Sequence, residues 1–222
     1  MEALFARNFL FEHLPENELA RIAALARERS FSRNQLIFAK GDSATGMMAV
    51  VSGGVRIVSY SADGKEIILR MVGPGEVFGE IALIDGGERT AEARAMEATK
   101  LAFLDRDDFL PFLEANPKLC IDLLNVLCQR LRSTSEQLED FSFLDLRVRL
   151  AKCLSHLADE KGAAPGAGVT LSLSQQVLAA MVGTSREAVN KRLREWEEEG
   201  LLSLGRGSVT VKDVEALKRI CG

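Results

Sequence analysis

Between Phe31 and Asp105 the chain is a succession of runs too short for helices. Segments rich in β-branched and apolar residues occur at Gln35–Phe38, Met47–Val51, Val55–Ser59, Glu66–Met71, Glu92–Ala95 and Lys100–Leu104. Turn signals separate them at Lys40-Gly41-Asp42, Ser52-Gly53-Gly54, Ala62-Asp63-Gly64 and Gly73-Pro74-Gly75. Valine and isoleucine suit pleated backbone, and glycine supplies the turn conformations that other residues resist. Strands this short bury little surface singly, so the pattern predicts closure into a compact β-barrel or jelly roll. Only one stretch breaks it, Phe78-Gly79-Glu80-Ile81-Ala82-Leu83-Ile84-Asp85-Gly86-Gly87-Glu88-Arg89-Thr90-Ala91, where Glu80–Leu83 reads as a single helical turn.

That interruption carries the chemistry. Gly79 lets backbone come close to a ligand, and the turn that follows offers the N–H groups of Ile81 and Ala82 to an anion. Arg89 and Thr90 add a guanidinium fork and a hydroxyl of the kind that holds phosphate. The Asp85-Gly86-Gly87 loop allows the chain to fold back and bring Arg89 to Glu80. A carboxylate suits a ribose hydroxyl and an arginine suits a phosphate, so the expected ligand is a small nucleotide at the barrel mouth. The plainer alternative is a surface salt bridge between Glu80 and Arg89 beside a glycine turn. A catalytic role for Glu80 lacks a second carboxylate or nucleophile to complete it.

Around the barrel the sequence reads as helical. Leu14-Pro15-Glu16 resembles a helix start, followed by Leu19, Ile22, Ala23 and Ala26 at helical spacing to about Arg29. A short helix is expected over Arg106–Ala115, stopped at Asn116-Pro117, and a long one from about Lys118 to Phe141 or beyond. In the long helix Leu124, Leu127, Leu131, Thr134, Leu138 and Phe141 recur at steps of three and four, a heptad seam. A seam of this kind either packs on the barrel or meets a second copy of the same helix. Farther on, Ser174 can cap a helix over Gln175–Val182, Gly183-Thr184 makes a tight turn, and a second helix runs over about Ser185–Glu199. Its apolar side is Val189, Leu193 and Trp196, and its other side carries Arg186, Glu187, Asn190, Lys191 and Arg194. With a hairpin at Leu201–Val211 this is a winged helix-turn-helix pattern. The competing reading is a solvated charged face with Thr184 and Glu187 as a capping box.

Charge is unevenly shared. The net charge is −4, yet from Asp145 onward there are 12 Lys and Arg against 10 Asp and Glu, leaving 16 against 22 before it. An acidic front and a mildly basic back suggest domains with different partners. The four cysteines, Cys120, Cys128, Cys153 and Cys221, form no C-x-x-C pair, so neither zinc nor iron–sulfur spacing is present. Cys120 and Cys128 stand among leucines and read as buried thiols. His13 and His156 read as surface or packing residues, and no metal is expected. Met1–Phe11 lacks the features of a signal peptide, and no apolar run reaches membrane-spanning length. The expected location is the cytoplasm, with no membrane partner.

These motifs resemble one family. Phe78-Gly79-Glu80-Ile81-Ala82-Leu83 with Arg89-Thr90-Ala91 is similar to the phosphate-binding cassette of cyclic-nucleotide-binding domains. Arg130–Glu136 and Phe143-Leu144-Asp145 resemble the dimerisation helix of the cyclic AMP receptor branch of the CRP/FNR regulators. Val182–Val189 resembles that family's recognition helix. The resemblance implies an α+β architecture: a cyclic-nucleotide-binding β-barrel over residues 1–115, a dimerisation helix and hinge over 116–144, and a winged helix-turn-helix over 145–222. It implies a homodimer that binds a palindromic site on double-stranded DNA, with RNA polymerase as a further partner, and it implies no catalysis. Gly79, Glu80, Ile81, Ala82, Arg89 and Thr90 would hold the phosphate and ribose, and Thr134 with Ser135 the base. That Thr-Ser pair matches the one associated with cyclic AMP, whereas a threonine after the phosphate arginine is associated with cyclic GMP in related domains. Ser185, Arg186, Glu187, Asn190, Lys191 and Arg206 would meet DNA. Arg186 and Glu187 match base-reading positions, and Lys191 replaces an arginine, losing the bidentate fork. Two rivals stand beside this reading. One is a regulator of the same fold that answers to redox state, gas or another effector, though the N-terminal cysteine cluster of the FNR type is missing. The other is a nucleotide-dependent enzyme or its regulatory subunit, for which neither a Walker loop nor a catalytic triad is present.

Overall fold

Helix α1 (Glu16–Leu25) starts where the Pro15 signal places it, with Glu18 and Leu19 N–H groups donating to Pro15 O, both at 2.9 Å. It ends at Leu25 rather than near Arg29, because Ala26 turns extended and Arg27–Phe31 becomes strand β1. Helical spacing cannot reveal this switch, since the strand is held by its partner. β1 pairs antiparallel with β8 (Thr99–Asp105), Lys100 reaches Glu28 at 3.1 Å, and the Arg29 guanidinium lies 3.9 Å from the Phe103 ring centroid. Cross-strand pairs of this sort let an otherwise polar segment form a sheet edge.

The remaining strands of the first half are β2 (Leu36–Phe38), β3 (Gly46–Ser52), β4 (Val55–Tyr60), β5 (Glu66–Val72), β6 (Val77–Phe78) and β7 (Glu92–Ala95). They make two four-stranded sheets, β1-β8-β3-β6 and β2-β7-β4-β5. The expected strands are present within a residue or so of the expected ends, and β1 and β6 are additional. Strand alternation on β3 explains how one sheet can serve two cores. Met48 and Val50 face the barrel interior with Val55, Val72 and Phe78, while Met47 and Ala49 face Phe109, Phe112 and Leu119 on the other side. The computed structural model describes residues 10, 11, 13–162 and 168–221. Parts of the N-terminal stretch and of the segment between residues 162 and 168 lie outside the described residues.

Helix α2 (Glu80–Asp85) is the interruption in the barrel, α3 (Arg106–Ala115) is capped by Asp105 accepting from Asp107 N, and α4 (Pro117–Phe143) is the long helix. By packing, the chain divides into two units, Met1–Ser59 with Leu69–Ser133, and Tyr60–Ile68 with Thr134–Gly222. In the second unit α5 (Leu146–Glu160) starts at Asp145, whose carboxylate accepts from Val148 N at 2.9 Å, and packs against α8 (Val214–Cys221). A three-stranded sheet joins β9 (Val169–Leu171), β10 (Leu202–Gly205) and β11 (Ser208–Val211) in the order β10-β11-β9. Between β9 and β10 lie α6 (Gln175–Met181) and α7 (Arg186–Glu198). Gly183 takes a φ of +65° at the turn, where a Cβ would also sit 3.2 Å from the Phe141 ring. The left-handed backbone is what favours glycine there, and the ring would have to shift by a few tenths of an ångström for any side chain.

The seam on α4 differs from the one the spacing suggests. Leu127 and Phe141 are half-buried against their own chain. The exposed stripe is Ile121, Leu124, Cys128, Leu131, Ser135 and Leu138, still at steps of three and four, with Leu131 68% exposed and Leu138 66%. Two heptad phases overlap on this leucine-rich helix, and only packing shows which one its own domains consume. Cys128 is thus exposed on the stripe rather than buried. Cys120 and Cys153 are half-buried, and burial pushes the Cys153 thiol up to about 12. His13 is exposed, and His156 lies in an exposed pair with Glu160 at 3.2 Å.

Candidate functional site

Helix α2 is set at its place by two glycines. Gly79 before it has a φ of +78° and Gly86 after it +72°, and Gly86 N donates to Ala82 O at 3.1 Å. At Gly79 a side chain is excluded twice, by the left-handed backbone and because a Cβ would lie 2.6 Å from Arg89 Nη1. The expectation that the loop folds back is met here: Arg89 Nη1 donates to Gly79 O at 2.8 Å and Nη2 to Gly46 O at 2.6 Å. Arg106 Nε braces the other end of α2 by donating to Leu83 O at 2.7 Å.

Glu80 and Arg89 are 2% and 5% exposed, which removes the surface salt bridge as an explanation of the pair. Nor are they each other's direct partner. The carboxylate of Glu80 is ion-paired through Oε1 with Arg130 of α4, whose Nη2 also donates to Val77 O at 2.5 Å. Glu80 Oε2 is buried without a hydrogen-bond partner among the described residues. Arg89 has no carboxylate within ion-pair distance among the described residues; it rests on two carbonyls and over the Phe38 ring, 4.3 Å from the centroid. Burial pulls the Arg89 guanidinium below the ordinary arginine range, with Glu80 and Asp42 opposing the shift from a distance. Arg130 is lowered for the same reason and opposed first by Glu80. A buried cation on neutral acceptors, beside a carboxylate oxygen with nothing to accept from, can take an anion and a hydroxyl from one ligand. Ala82 is buried, while Ile81 and Thr90 are exposed.

Arg130 is the member of this buried cluster that the sequence reading leaves out of its site. It stands among other charged residues on a long helix, and no local spacing distinguishes it; the Arg130–Glu136 match to the dimerisation helix was its only signal. Thr134 and Ser135 follow on the same helix and are exposed. They belong to the second packing unit, whereas Glu80, Arg89 and Arg130 belong to the first.

The second candidate surface is α7. Its N-cap is Ser185, whose Oγ accepts from Ala188 N at 3.2 Å, so Thr184 and Glu187 do not form the capping box. Val189, Leu193 and Trp196 are buried, as their spacing requires, and Arg186, Glu187, Lys191 and Arg194 are exposed, with Asn190 half-buried. Acidic residues crowd the far end, where two are tied inward: Glu195 pairs with Arg192, and Glu197 Oε1 accepts from Leu204 N at 2.7 Å on β10. Their charge is thereby held at the C-terminal end of the helix. Arg206 is exposed at the tip of the β10–β11 hairpin.

Comparison with known proteins matches both halves of the chain. Residues 28–116 match the model of the cyclic nucleotide-binding domain, and residues 148–220 that of the Crp-like helix-turn-helix domain. A CRP-like cAMP-activated global transcriptional regulator of Mycobacterium tuberculosis is 34% identical over 221 residues, 99% of each chain. The cyclic AMP receptor protein of Thermus thermophilus is 36% identical over 211 residues, 95% of each. Among solved structures, the c-di-GMP responsive global regulator CLP of Xanthomonas campestris superimposes with a TM-score of 0.79 at 27% identity, covering 89% of this chain and 99% of that one. Full-length similarity to regulators, with the barrel and the winged helix matched in order, shows that the chain belongs to the CRP/FNR family of DNA-binding transcription regulators.

Proposed function

We propose that this chain is a cytoplasmic homodimer that cyclic AMP drives onto a palindromic DNA operator, where it meets RNA polymerase. The observation that carries the ligand assignment is the buried pair of unmet demands, Arg89 without a carboxylate partner and Glu80 Oε2 without a donor. A cyclic phosphate answers the first and a ribose 2′-hydroxyl the second. Arg89 and Thr90, with the backbone of Gly79, Ile81 and Ala82, hold the phosphate; Glu80 holds the ribose; Thr134 and Ser135 receive the base. Adenine is favoured by the Thr-Ser pair, and the named relatives from M. tuberculosis and T. thermophilus are described by cyclic AMP.

The exposed stripe Ile121, Leu124, Leu131 and Leu138 supports the dimer. Each buried leucine contributes about 1.5–3 kcal/mol, and a two-fold axis counts every residue twice. Residues 1–115 then serve as sensor, 116–144 as dimer helix and hinge, and 145–222 as the DNA-binding part. Ligand stabilises one arrangement of that hinge, which spaces two α7 helices for successive major grooves. On DNA, Arg186 and Glu187 read bases, Asn190 and Lys191 follow along the groove, and Ser185 and Arg206 meet the backbone. Calorimetric titration of the full chain with cyclic AMP, cyclic GMP and c-di-GMP tests the assignment. One cyclic AMP per protomer supports it, and no heat of binding with any of the three contradicts it.

A further inference from the structure

The β10–β11 hairpin, the wing of the DNA-binding part, reaches farther than the sheet that supports it. Its two-residue loop, Arg206-Gly207, is closed by the Gly205–Ser208 rung, and Gly207 takes a φ of +74°. On one side β11 is covered by β9, which pairs with Val209, Thr210 and Val211 and stops before Ser208. On the other side β10 is the outer strand, with no further strand beyond it among the described residues. Lys212 N donates to Leu201 O at 2.9 Å, which makes 201 and 212 a hydrogen-bonded rung. Rungs of an antiparallel ladder alternate, so Leu204 and Val209 face each other without exchanging bonds, and the N–H of Leu204 points away from β11. Glu197 of α7 takes that outward N–H, accepting it through Oε1 at 2.7 Å. The carboxylate is well placed to do so. Trp196 beside it is fully buried, its carbonyl accepts from Leu201 N at 2.9 Å, and Glu197 O accepts from Gly200 N at 3.1 Å.

The rung Leu171–Val209–Leu204 is therefore the last one braced from two sides, by β9 and by Glu197. Beyond it remain one rung and the turn that carries Arg206. Resting on the reading above in which Arg206 meets the DNA backbone, we infer that Glu197 is a positioning residue for DNA binding: its carboxylate fixes the hairpin to α7, so that Arg206 reaches a phosphate while Arg186 stands in the groove. Glu197 itself touches no DNA in this arrangement. Its negative charge opposes phosphate, while its hydrogen bond supports the one phosphate contact at the hairpin tip. These two contributions have opposite signs, and substitution separates them. Glutamine removes the charge and keeps an acceptor oxygen for Leu204 N, whereas alanine removes both.

The test is fluorescence anisotropy on the full chain with saturating cyclic AMP, using a labelled palindromic duplex that the parent selects from a randomised pool. Glu197→Ala, Glu197→Gln, Arg206→Ala and the double variant Glu197→Ala with Arg206→Ala are compared over a range of salt. A dimer presents two hairpins, so Arg206→Ala should flatten the dependence of log affinity on log salt by about 1.8. Glu197→Ala is expected to bind about 10-fold more weakly and to show the same flattening. Adding Arg206→Ala to it should then cost less than about twofold more. Glu197→Gln should bind at least as tightly as the parent, with the parent's salt dependence. Tighter binding by Glu197→Ala, as loss of charge alone would give, overturns the inference. So does weaker binding with an unchanged salt dependence, which is a general effect on folding, or a Glu197→Gln protein as weak as Glu197→Ala. If Arg206→Ala leaves the parent's affinity and salt dependence unchanged, the hairpin's contact with DNA fails and the inference with it. That result is distinct from a parent sensitive to Arg206→Ala whose sensitivity survives in Glu197→Ala, which overturns the role of Glu197 alone.

Discussion

Replacing Arg89 by methionine separates what this residue does for the fold from what it does for the ligand. In the free protein its guanidinium is desolvated and held by two carbonyls and the Phe38 ring, without a carboxylate partner among the described residues. Removing it leaves Gly79 O and Gly46 O short of a donor, at about 1–3 kcal/mol each. The same change removes a buried charge whose desolvation costs several kcal/mol, and fills the space with an apolar chain of similar length. The two terms oppose one another, and the stability of the free Arg89→Met protein should change by no more than about 2 kcal/mol. Ligand binding has no such compensation. The cyclic phosphate loses a charge-assisted fork, and affinity should fall by about 3 kcal/mol or more, over 100-fold. Thermal melts read both effects. Cyclic AMP at 100 times its parent Kd stabilises the parent by about 2.7 kcal/mol. For a chain of this size that is a rise of roughly 5–11 °C in Tm. Free Arg89→Met should melt within about 4–8 °C of the free parent and show almost no rise on adding ligand. A full ligand shift in Arg89→Met would refute the phosphate assignment, and a collapsed free protein would refute the compensation argument.

Three other perturbations address the remaining surfaces. Arg186→Ala should relax preference at one half-site base by about 1–3 kcal/mol, while Arg206→Ala weakens all sequences alike; gel-shift titrations over half-site variants distinguish them. Leu131→Asp places a charge at the centre of the exposed stripe, and sedimentation should show the dimer weakened by about 100-fold or more, with each protomer still folded. For Cys153, whose thiol is raised from 9.0 to about 12, the neutral form is the one the fold favours. Its contribution to stability is complete below pH 9 and is lost as pH rises toward 12. Ellman's reagent at pH 8 should therefore label exposed Cys221 and leave Cys153 until the protein is unfolded, and rapid labelling of Cys153 in the native protein would contradict this.

How far the sequence alone reaches differs from element to element. Strands at Glu92–Ala95 and Lys100–Leu104, the Ser174 cap and the buried side of α7 all follow from local periodicity and turn chemistry, and they hold in the structure. β1 escapes because Arg27, Glu28 and Arg29 are polar, and only pairing with β8 makes them a strand. β6 is two residues long and β9 three, below the length at which any period can be seen. The α4 seam shows a different limit. With leucines at 123, 124, 127, 131 and 138, two phases satisfy the heptad, and tertiary packing selects between them. The cassette was legible because Gly79, Glu80 and Arg89 are close in sequence. Arg130 is 50 positions from Glu80, and only folding brings it to that carboxylate.

The proposed regulation rests on one coupling, that nucleotide bound at Glu80 and Arg89 is felt at Arg186. Fluorescence anisotropy of a labelled palindromic operator, titrated with the protein at fixed salt with cyclic AMP, with cyclic GMP and with neither, measures it directly. Cyclic AMP is predicted to tighten operator binding by at least about 10-fold, within the usual range of coupling energies, and cyclic GMP to bind while leaving operator affinity nearly unchanged. Thr134→Ala should retain much of its cyclic AMP affinity yet lose that response. Operator affinity that is the same in all three titrations, equal activation by cyclic GMP, or a full response in Thr134→Ala would contradict the account.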